Sequence, residues 1–364
     1  MKILEADSSN DNEIEQFLLQ FEDSTIYHHP GWLELLRRET NQRAIKLIVR
    51  DEQDKLIGYL PLLSTKGFPL QLGGQVAKRR FSSLPRTPIG GPVAADDDIC
   101  KSLIKYASVN YLSDKKSVLQ IKSYSDCYTG IIENLVCLPW RDNFQIEFNS
   151  GEELRFGNSR NHSAINRAVK KAIKTGVQTR RANTPEELLL WHRLYLDTMR
   201  FHMTPPRSFE FFRDMWQLLS PGKLCHLQLA ELKTKDGLKI IAGSVFLYFN
   251  KTYFYAFNGS SREFFEYRPN DLLHWEAIHS AKEEGYKLYD LGEVPFDQSG
   301  LAAYKSKWAN LTKKIFHYYY PLTPQKENLQ LQGTGTEVGM LKKLWQYIPL
   351  SLTEKIGKII YKRL

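Results

Sequence analysis

The chain has 364 residues, a net charge of +9 and 12% aromatic residues, which is long enough for two domains and rich in core-forming side chains. Its four cysteines, Cys100, Cys127, Cys137 and Cys225, form no CxxC pair, which argues against a zinc site or a disulfide framework and fits a reducing compartment. The N-terminus lacks the apolar core of a signal peptide, and no stretch reaches the roughly 18 apolar residues of a membrane span, so the expectation is a cytoplasmic protein without a metal.

In chain order, residues 5–21 read as a cap and a short helix, and residues 29–40 as a second helix opened by Pro30 and Gly31. Residues 44–65 read as two apolar strands joined by the charged turn Asp51 to Lys55. A strand follows, broken by Pro85, Pro88 and the pair Gly90-Gly91, then a helix over 96–112 with acids in its first turn, then a strand over 116–124. The second half has helices over 166–176, 184–200 and 206–220, the middle one with Thr184 as N-cap, Pro185 first and Glu187 closing a capping box. Residues 224–261 form a three-stranded antiparallel meander, 269–286 a helix ended by Gly285, and 287–293 and 313–322 two strands.

The two halves share an order of helices, meander, helix and strand. That order predicts an internal duplication of an α+β unit with its boundary near Ser150-Gly151, hence domains over 1–150 and 151–322, and a C-terminal segment over 323–364. The last segment reads as a linker and a basic helix. In that helix Ser351 and Glu354 suggest a capping box, and Leu352, Ile356, Ile359 and Ile360 fall on one side with Lys355, Lys358, Lys362 and Arg363 off it. Such a stripe either packs on the core or lies on an anionic inner membrane surface.

Charge is concentrated. Residues 155–181 carry Arg155, Arg160, Arg167, Lys170, Lys171, Lys174, Arg180 and Arg181 without one acid. The helical part of this run is either a solvated face or a contact for a polyanion: tRNA, a nucleotide-activated precursor or a lipid pyrophosphate. The loop "SLPRTPIGGP" offers Arg86 to a phosphate or carboxylate, or is a structural bulge. In "EYRPND" a helix N-terminus and Arg268 suit a phosphate, with Asn270 as either a ligand-side group or an N-cap. Asp290 and Glu293 sit at a strand end, where either could take a proton from an amine or pair with a lysine. The histidines show no HExxH or triad spacing and read as structural.

The motifs "YHHPGWLELL", "SLPRTPIGGP", "RNHSAINRAVKKAIKTGV", "RPNDLLHWEAIHSAKEEGYKLYDLGE" and "GLAAYKSKWA", in that order, resemble the FemA/FemB/FemX group of peptidoglycan-bridge aminoacyltransferases. The resemblance implies tandem GNAT-like α+β domains, each a mainly antiparallel central sheet flanked by helices. It also implies transfer of an acyl or aminoacyl group to an amine on a cell-envelope or polysaccharide precursor, lipid-linked or nucleotide-linked. No cofactor is bound permanently; acyl-CoA or aminoacyl-tRNA is the co-substrate. Lys305 matches the lysine of the donor-site motif, where a fixed cation would stabilise an oxyanion while Tyr304 and Trp308 exclude water. Asp290 and Glu293 complete the catalytic set. Arg86, Arg167, Tyr255, Asn258, Arg268, Asn270 and Tyr304 form the substrate-binding set. The loop before the 269–286 helix lacks the glycine spacing of ordinary GNAT enzymes, and the long coiled-coil arm of some group members is missing, which favours the shorter FemX-like arrangement. The alternative is a non-catalytic module that binds an anionic glycan-lipid or tRNA.

Overall fold

A computed structural model describes the chain except for residues 67–78, 113–116, 150, 152, 236, 297, 322–344 and 364. The linker expected after residue 322 therefore lies outside the described residues. The chain divides into two compact units. One comprises residues up to Arg141, with residues from Lys314 onward and from Ile359 onward; the other comprises Asp142–Lys313 and residues up to Lys358.

The first unit opens with strand β1 (Lys2–Ala6), helix α1 (Asp11–Leu18) and helix α2 (Pro30–Thr40). Strands β2 (Ala44–Arg50) and β3 (Leu56–Thr65) form the expected hairpin, and β1 pairs antiparallel with β2. Strand β4 (Arg79–Ser82) pairs antiparallel with β3, and the two-residue β5 (Val93–Ala94) also pairs with β3. Helix α3 (Asp97–Asn110) begins where Asp96 accepts from the Ile99 amide at 2.8 Å, and its first-turn acids suit the dipole. It leads to β6 (Ser117–Ser123), which lies parallel to β4 and antiparallel to β13 (Leu311–Tyr320). Ile45, Leu47, Leu60, Leu103, Ile104, Leu119, Ile121 and Tyr318 make its core.

In the second unit helix α4 (Ser159–Lys174) is followed by β8 (Val177–Arg181), α5 (Pro185–Phe201) and α6 (Phe209–Leu219). The capping box at Thr184 and Glu187 forms as the sequence predicts. Strands β9 (Cys225–Thr234), β10 (Gly237–Phe249) and β11 (Thr252–Ser260) are the meander, extended on its outer side by β8. Helix α7 (Pro269–Glu283) then crosses to β12 (Leu288–Val294), which runs parallel to β11 and antiparallel to the second half of β7 (Val136–Glu147). Helix α7 buries Leu272, Leu273, His274, Ala277, Ile278 and Ala281, so it is wrapped by core and shows little one-sided amphipathicity.

The internal duplication is thus visible as topology. Each unit holds four antiparallel strands, then a parallel neighbour reached through a helix, then one antiparallel strand. The sequence division at residue 150 and the compact units differ in one respect: β7 lends its second half to the second unit, and most of β13 belongs to the first. Strand β7 was not expected because Pro139, Asp142 and Asn143 interrupt its pattern. Strands β1 and β8 escaped because they are five residues each and rich in charge.

The C-terminal helix α9 (Leu350–Tyr361) departs from its expected face. Thr353 and Gly357 are buried, whereas Leu352 and Ile359 are 46% and 59% exposed. Glu354 accepts the Phe209 amide at 2.8 Å in place of a capping box, and Lys358 donates to Glu210 at 2.7 Å. Half of the stripe, Ile356 and Ile360, is half-buried and Tyr361 is buried, and Gly357 is required in that face because a Cβ there would collide with the Pro206 carbonyl oxygen.

Candidate active site

The parallel ladder of β11 and β12 is short. Thr252 pairs with Leu288, Tyr253 with Tyr289 and Phe254 with Asp290, and there the registered pairing ends. Beyond it both strands are bulged. Ala256 is an extra residue between Tyr255 and Phe257 opposite β10, and Leu291 is an extra residue between Asp290 and Gly292 opposite β7. A bulge bends a strand and re-aims its side chains. Here two of them sit where a parallel pair parts, the position in open α/β layers where ligands meet strand ends.

Asp290 is buried at that point. Its Oδ2 accepts from Asn143 Nδ2 at 2.7 Å and Gln145 Nε2 at 2.8 Å, and its Oδ1 from the Gly292 amide at 2.7 Å. Burial pushes its pKa above the ordinary carboxylate value, while these donors and the Lys305 charge pull it back. Lys305 is 8% exposed on helix α8 (Ser299–Ser306), and its Nζ donates to the Glu293 carbonyl oxygen at 3.1 Å. Gly292 is needed here because its φ is +83°, a conformation that side chains rarely adopt.

Helix α8 is absent from the sequence reading because "SGLAAYKS" has little helical periodicity. It is anchored by Trp308, which is fully buried edge-on to Phe156 at 5.0 Å and whose amide bonds to the Lys305 carbonyl at 3.0 Å. Burying so large a side chain contributes roughly 2–3 kcal/mol, comparable to the weak intrinsic helix preference of these eight residues.

His274 on α7 joins the cluster, although the sequence marked it only as structural. Its Nδ1 lies 2.9 Å from the Tyr289 hydroxyl, and its ring is 4.4 Å from Tyr255, 5.4 Å from Trp308 and 6.2 Å from Tyr304. Burial, helped by the Lys305 charge, lowers its pKa to about 3, so the ring is neutral. The Tyr289 and Tyr304 phenols are held protonated by burial, as is Tyr255. At the start of α7, Asn258 Nδ2 donates to Ser244 Oγ at 3.1 Å and Asn270 Oδ1 at 3.2 Å, and Ser260 Oγ donates to Asn270 Oδ1 at 2.8 Å. These bonds tie the helix start to β11. Arg268, exposed and left-handed at φ 60°, caps it.

The structure therefore groups Lys305, Asp290, Tyr304, Tyr255, Asn258, Asn270 and Arg268 in the second unit. Glu293 contributes its carbonyl to Lys305. Arg167 is exposed on α4, outside this cluster, with Lys170, Lys171 and Lys174 also exposed. The flanks of the basic run are neutralised: Arg155 pairs with Glu153, Arg180 with Glu187 and Glu231, and Arg181 with Glu284, so the acid-free appearance holds in sequence but not in space. Arg86 belongs to the first unit, where its guanidinium lies 5.6 Å from the Tyr361 ring. The buried Lys122 holds its loop by donating to the Leu84 and Thr87 carbonyls. The sequence carries no local signal for His274, Tyr289, Asn143 or Gln145 as members of the site. Among the described residues no group of three His, Cys, Asp or Glu side chains could hold a metal.

Residues 159–306, which contain the parted strands and every member of this cluster except Asn143, Gln145 and Trp308, match the acetyltransferase (GNAT) domain family. The site thus lies in the stretch that is similar to GNAT domains. The chain is 26% identical over 115 residues to lipid II:glycine glycyltransferase of Staphylococcus saprophyticus, and 26% over 129 residues to that of Staphylococcus aureus. These matches cover 29% and 32% of this chain but only 28% and 30% of those proteins. The crystal structure of FemX superposes with a TM-score of 0.67 at 16% identity, over 92% of this chain and 100% of that one. The C-terminal domain of a putative lysylphosphatidylglycerol synthetase from Agrobacterium fabrum gives 0.56 at 12% identity, over 90% and 96%. Residues 159–306 are thus similar to a GNAT domain, and the chain shares the fold of FemX over most of its length.

Proposed function

We propose that this protein is an N-acyltransferase that moves an acyl or aminoacyl group from an activated donor to an amine on a lipid-linked cell-envelope precursor. The observation that carries the reading is the buried Lys305 beside Asp290 at the point where β11 and β12 part. The named activity of the staphylococcal relatives supports the precursor class.

In this reading the activated carbonyl enters between the parted strands, against Tyr255 and Tyr304, with Asn258, Asn270 and Arg268 at the start of α7 holding the polar part of the donor. The amine attacks the carbonyl carbon, and Lys305 stabilises the negative charge that grows on the carbonyl oxygen. Asp290 with its amide donors and the Glu293 carbonyl fix the ammonium, so little reorganisation accompanies the reaction. Arg86 is assigned to the acceptor side and Arg167 to a polyanionic part of either substrate.

Incubation of the full chain with lipid II and either radiolabelled glycyl-tRNA or acetyl-CoA tests this. An amide-linked product from one donor is the expected result. Tight lipid II binding without product from either donor would establish the binding-module alternative. Changing Arg167, Lys170, Lys171 and Lys174 together to Gln is expected to raise KM for a tRNA-borne donor and to flatten its salt dependence, because fewer counterions are released. Unchanged KM and salt slope would make α4 a solvated face.

No helix among the described residues is long and apolar enough to cross a membrane. We assign peripheral contact with an anionic surface to the outward side of α9, where exposed Leu352 stands with Lys355, next to Tyr347 at 85% exposure. Each cation near such a surface contributes about 1 kcal/mol. Leu352→Asp with Lys355→Glu is expected to abolish sedimentation with phosphatidylglycerol vesicles and leave the docked helix intact. Retained sedimentation would rule that surface out.

A further inference from the structure

We propose that the loop over residues 83–91 of the first unit is an oxyanion site that holds a phosphoryl group on the amides of Ile89, Gly90 and Gly91 and on the Arg86 guanidinium. The site stands on the geometry of the loop itself. The acceptor-side assignment of Arg86 above bears only on which molecule carries the phosphoryl group.

The carbonyls of this loop are spent on buried donors. Lys122, 5% exposed on β6, donates through Nζ to the Leu84 carbonyl oxygen at 2.8 Å and to that of Thr87 at 2.9 Å. Each of these carbonyls precedes a proline, so neither peptide has an N–H to place. Thr87 Oγ1 donates to the same Leu84 oxygen at 2.7 Å, and Ser83 Oγ accepts the Lys122 amide at 2.8 Å. At the far end the buried His28 donates to the Gly91 carbonyl oxygen, while its Nδ1 accepts the Thr25 amide at 3.0 Å. The amides are treated differently. Among the described residues no group accepts from the N–H of Ile89, Gly90 or Gly91, although all three residues are buried. A buried amide without an acceptor is unfavourable, so three in succession mark a place where an acceptor belongs.

The backbone is held under strain to reach this arrangement. Leu84 and Arg86 are left-handed at φ 64° and 58°, a conformation that residues with a side chain seldom adopt. Arg86 is the one exposed residue between Phe81 and Gly91, and its guanidinium lies 5.6 Å from the Tyr361 ring. Glycine is required at the amide end. A Cβ on Gly90 would lie 2.9 Å from the Ser83 carbonyl oxygen, and one on Gly91 would lie 2.7 Å from that of Lys122.

The charge logic follows from this division. The negative ends of the loop dipoles at Leu84 and Thr87 face a buried ammonium, which leaves the positive amide ends and a guanidinium for a ligand. Three consecutive amides and a fork of N–H donors match the three outer oxygens of a tetrahedral phosphoryl group, whereas a planar carboxylate offers two. A loop that merely covered the sheet end would meet its amides with water and would ignore phosphate. The role is binding, and no bond is made or broken here.

The test uses the full chain, amide NMR and inorganic pyrophosphate. Pyrophosphate is expected to shift the amide resonances of Ile89, Gly90 and Gly91 saturably, while acetate at the same ionic strength leaves them in place. Arg86→Gln, a change at an exposed side chain, should weaken the pyrophosphate Kd by about tenfold or more. Lys122→Met should abolish the three shifts, with the Leu119 and Ile121 amides of β6 reporting whether the sheet survives; if it does not, Arg86→Gln carries the test. In the transfer assay, pyrophosphate should raise KM for lipid II and spare that of the donor, which assigns the phosphoryl group to the acceptor. A raised donor KM instead would assign it to the donor with the site intact. Unshifted amides in pyrophosphate, an equal response to acetate, or a wild-type Kd in Arg86→Gln would overturn the site. A chain inert in transfer that still shows the shifts would remove the transfer reading and leave this site standing.

Discussion

Replacing Lys305 by methionine is expected to lower the rate of amide formation by about 10²-fold or more, with donor binding little changed. The lysine is proposed to act on charge that develops only as the carbonyl is attacked, so its loss should appear in kcat and spare KM. The structure adds a consequence for stability. Lys305 is buried near a buried Asp290 whose proton affinity is already raised by burial. A carboxylate with a raised folded-state pKa favours the folded state most below its unfolded pKa and loses that advantage as pH rises through the folded value. Removing the nearby cation raises the folded value further. Lys305→Met should therefore be destabilised near neutrality, and by much less at a pH low enough to protonate Asp290. Chemical denaturation at two pH values reads this. A wild-type rate in the pure variant would end the oxyanion role, and a pH-independent stability loss would end the coupling to Asp290.

The second large effect concerns α9. Gly357→Leu should undock this helix, because even a Cβ would collide with the Pro206 carbonyl. Overpacking of this kind costs about 1–3 kcal/mol. Both the Glu354 bond to the Phe209 amide and the Lys358–Glu210 pair should be lost together. Amide exchange over residues 350–361 should speed up by tenfold or more, while β9–β11 stay protected. The wild-type docking should itself weaken in acid. The Lys358 hydrogen bond, against a smaller opposing effect of burial, lowers the Glu210 pKa to about 2. Its contribution is present above the unfolded carboxylate value and fades as pH falls toward 2. Unchanged exchange in Gly357→Leu would show that the helix is held by something other than this contact.

Much of the architecture was written locally. The hairpin across Asp51–Lys55, the capping box of Thr184 and Glu187, the acid-led start of α3 and the meander over 224–261 each depend on neighbours within a few residues, and each formed as read. The duplication followed from the order of such elements. The motif around Lys305 was likewise legible, and with it the expectation of a cation among aromatics. Other features could not be read so. Helix α8 exists because Trp308 is driven against Phe156, a contact that spans most of the second unit's sequence. The acid-free run from Arg155 to Arg181 loses its flanking charges to Glu153, Glu187, Glu231 and Glu284, some of them brought close only by folding.

The sequence by itself determined the periodicities, caps and turns, and hence two α+β units of one pattern and a basic amphipathic tail. Tertiary structure alone decided which strand completes each unit and which side of the tail meets the core. Strand β7 reaches β12 across about 140 residues of chain, and its Asn143 and Gln145 occupy Asp290. Nothing within a turn or a strand of Asp290 reports that. Hydrogen-bond commitment and burial are properties of the packed neighbourhood, which local pattern does not carry.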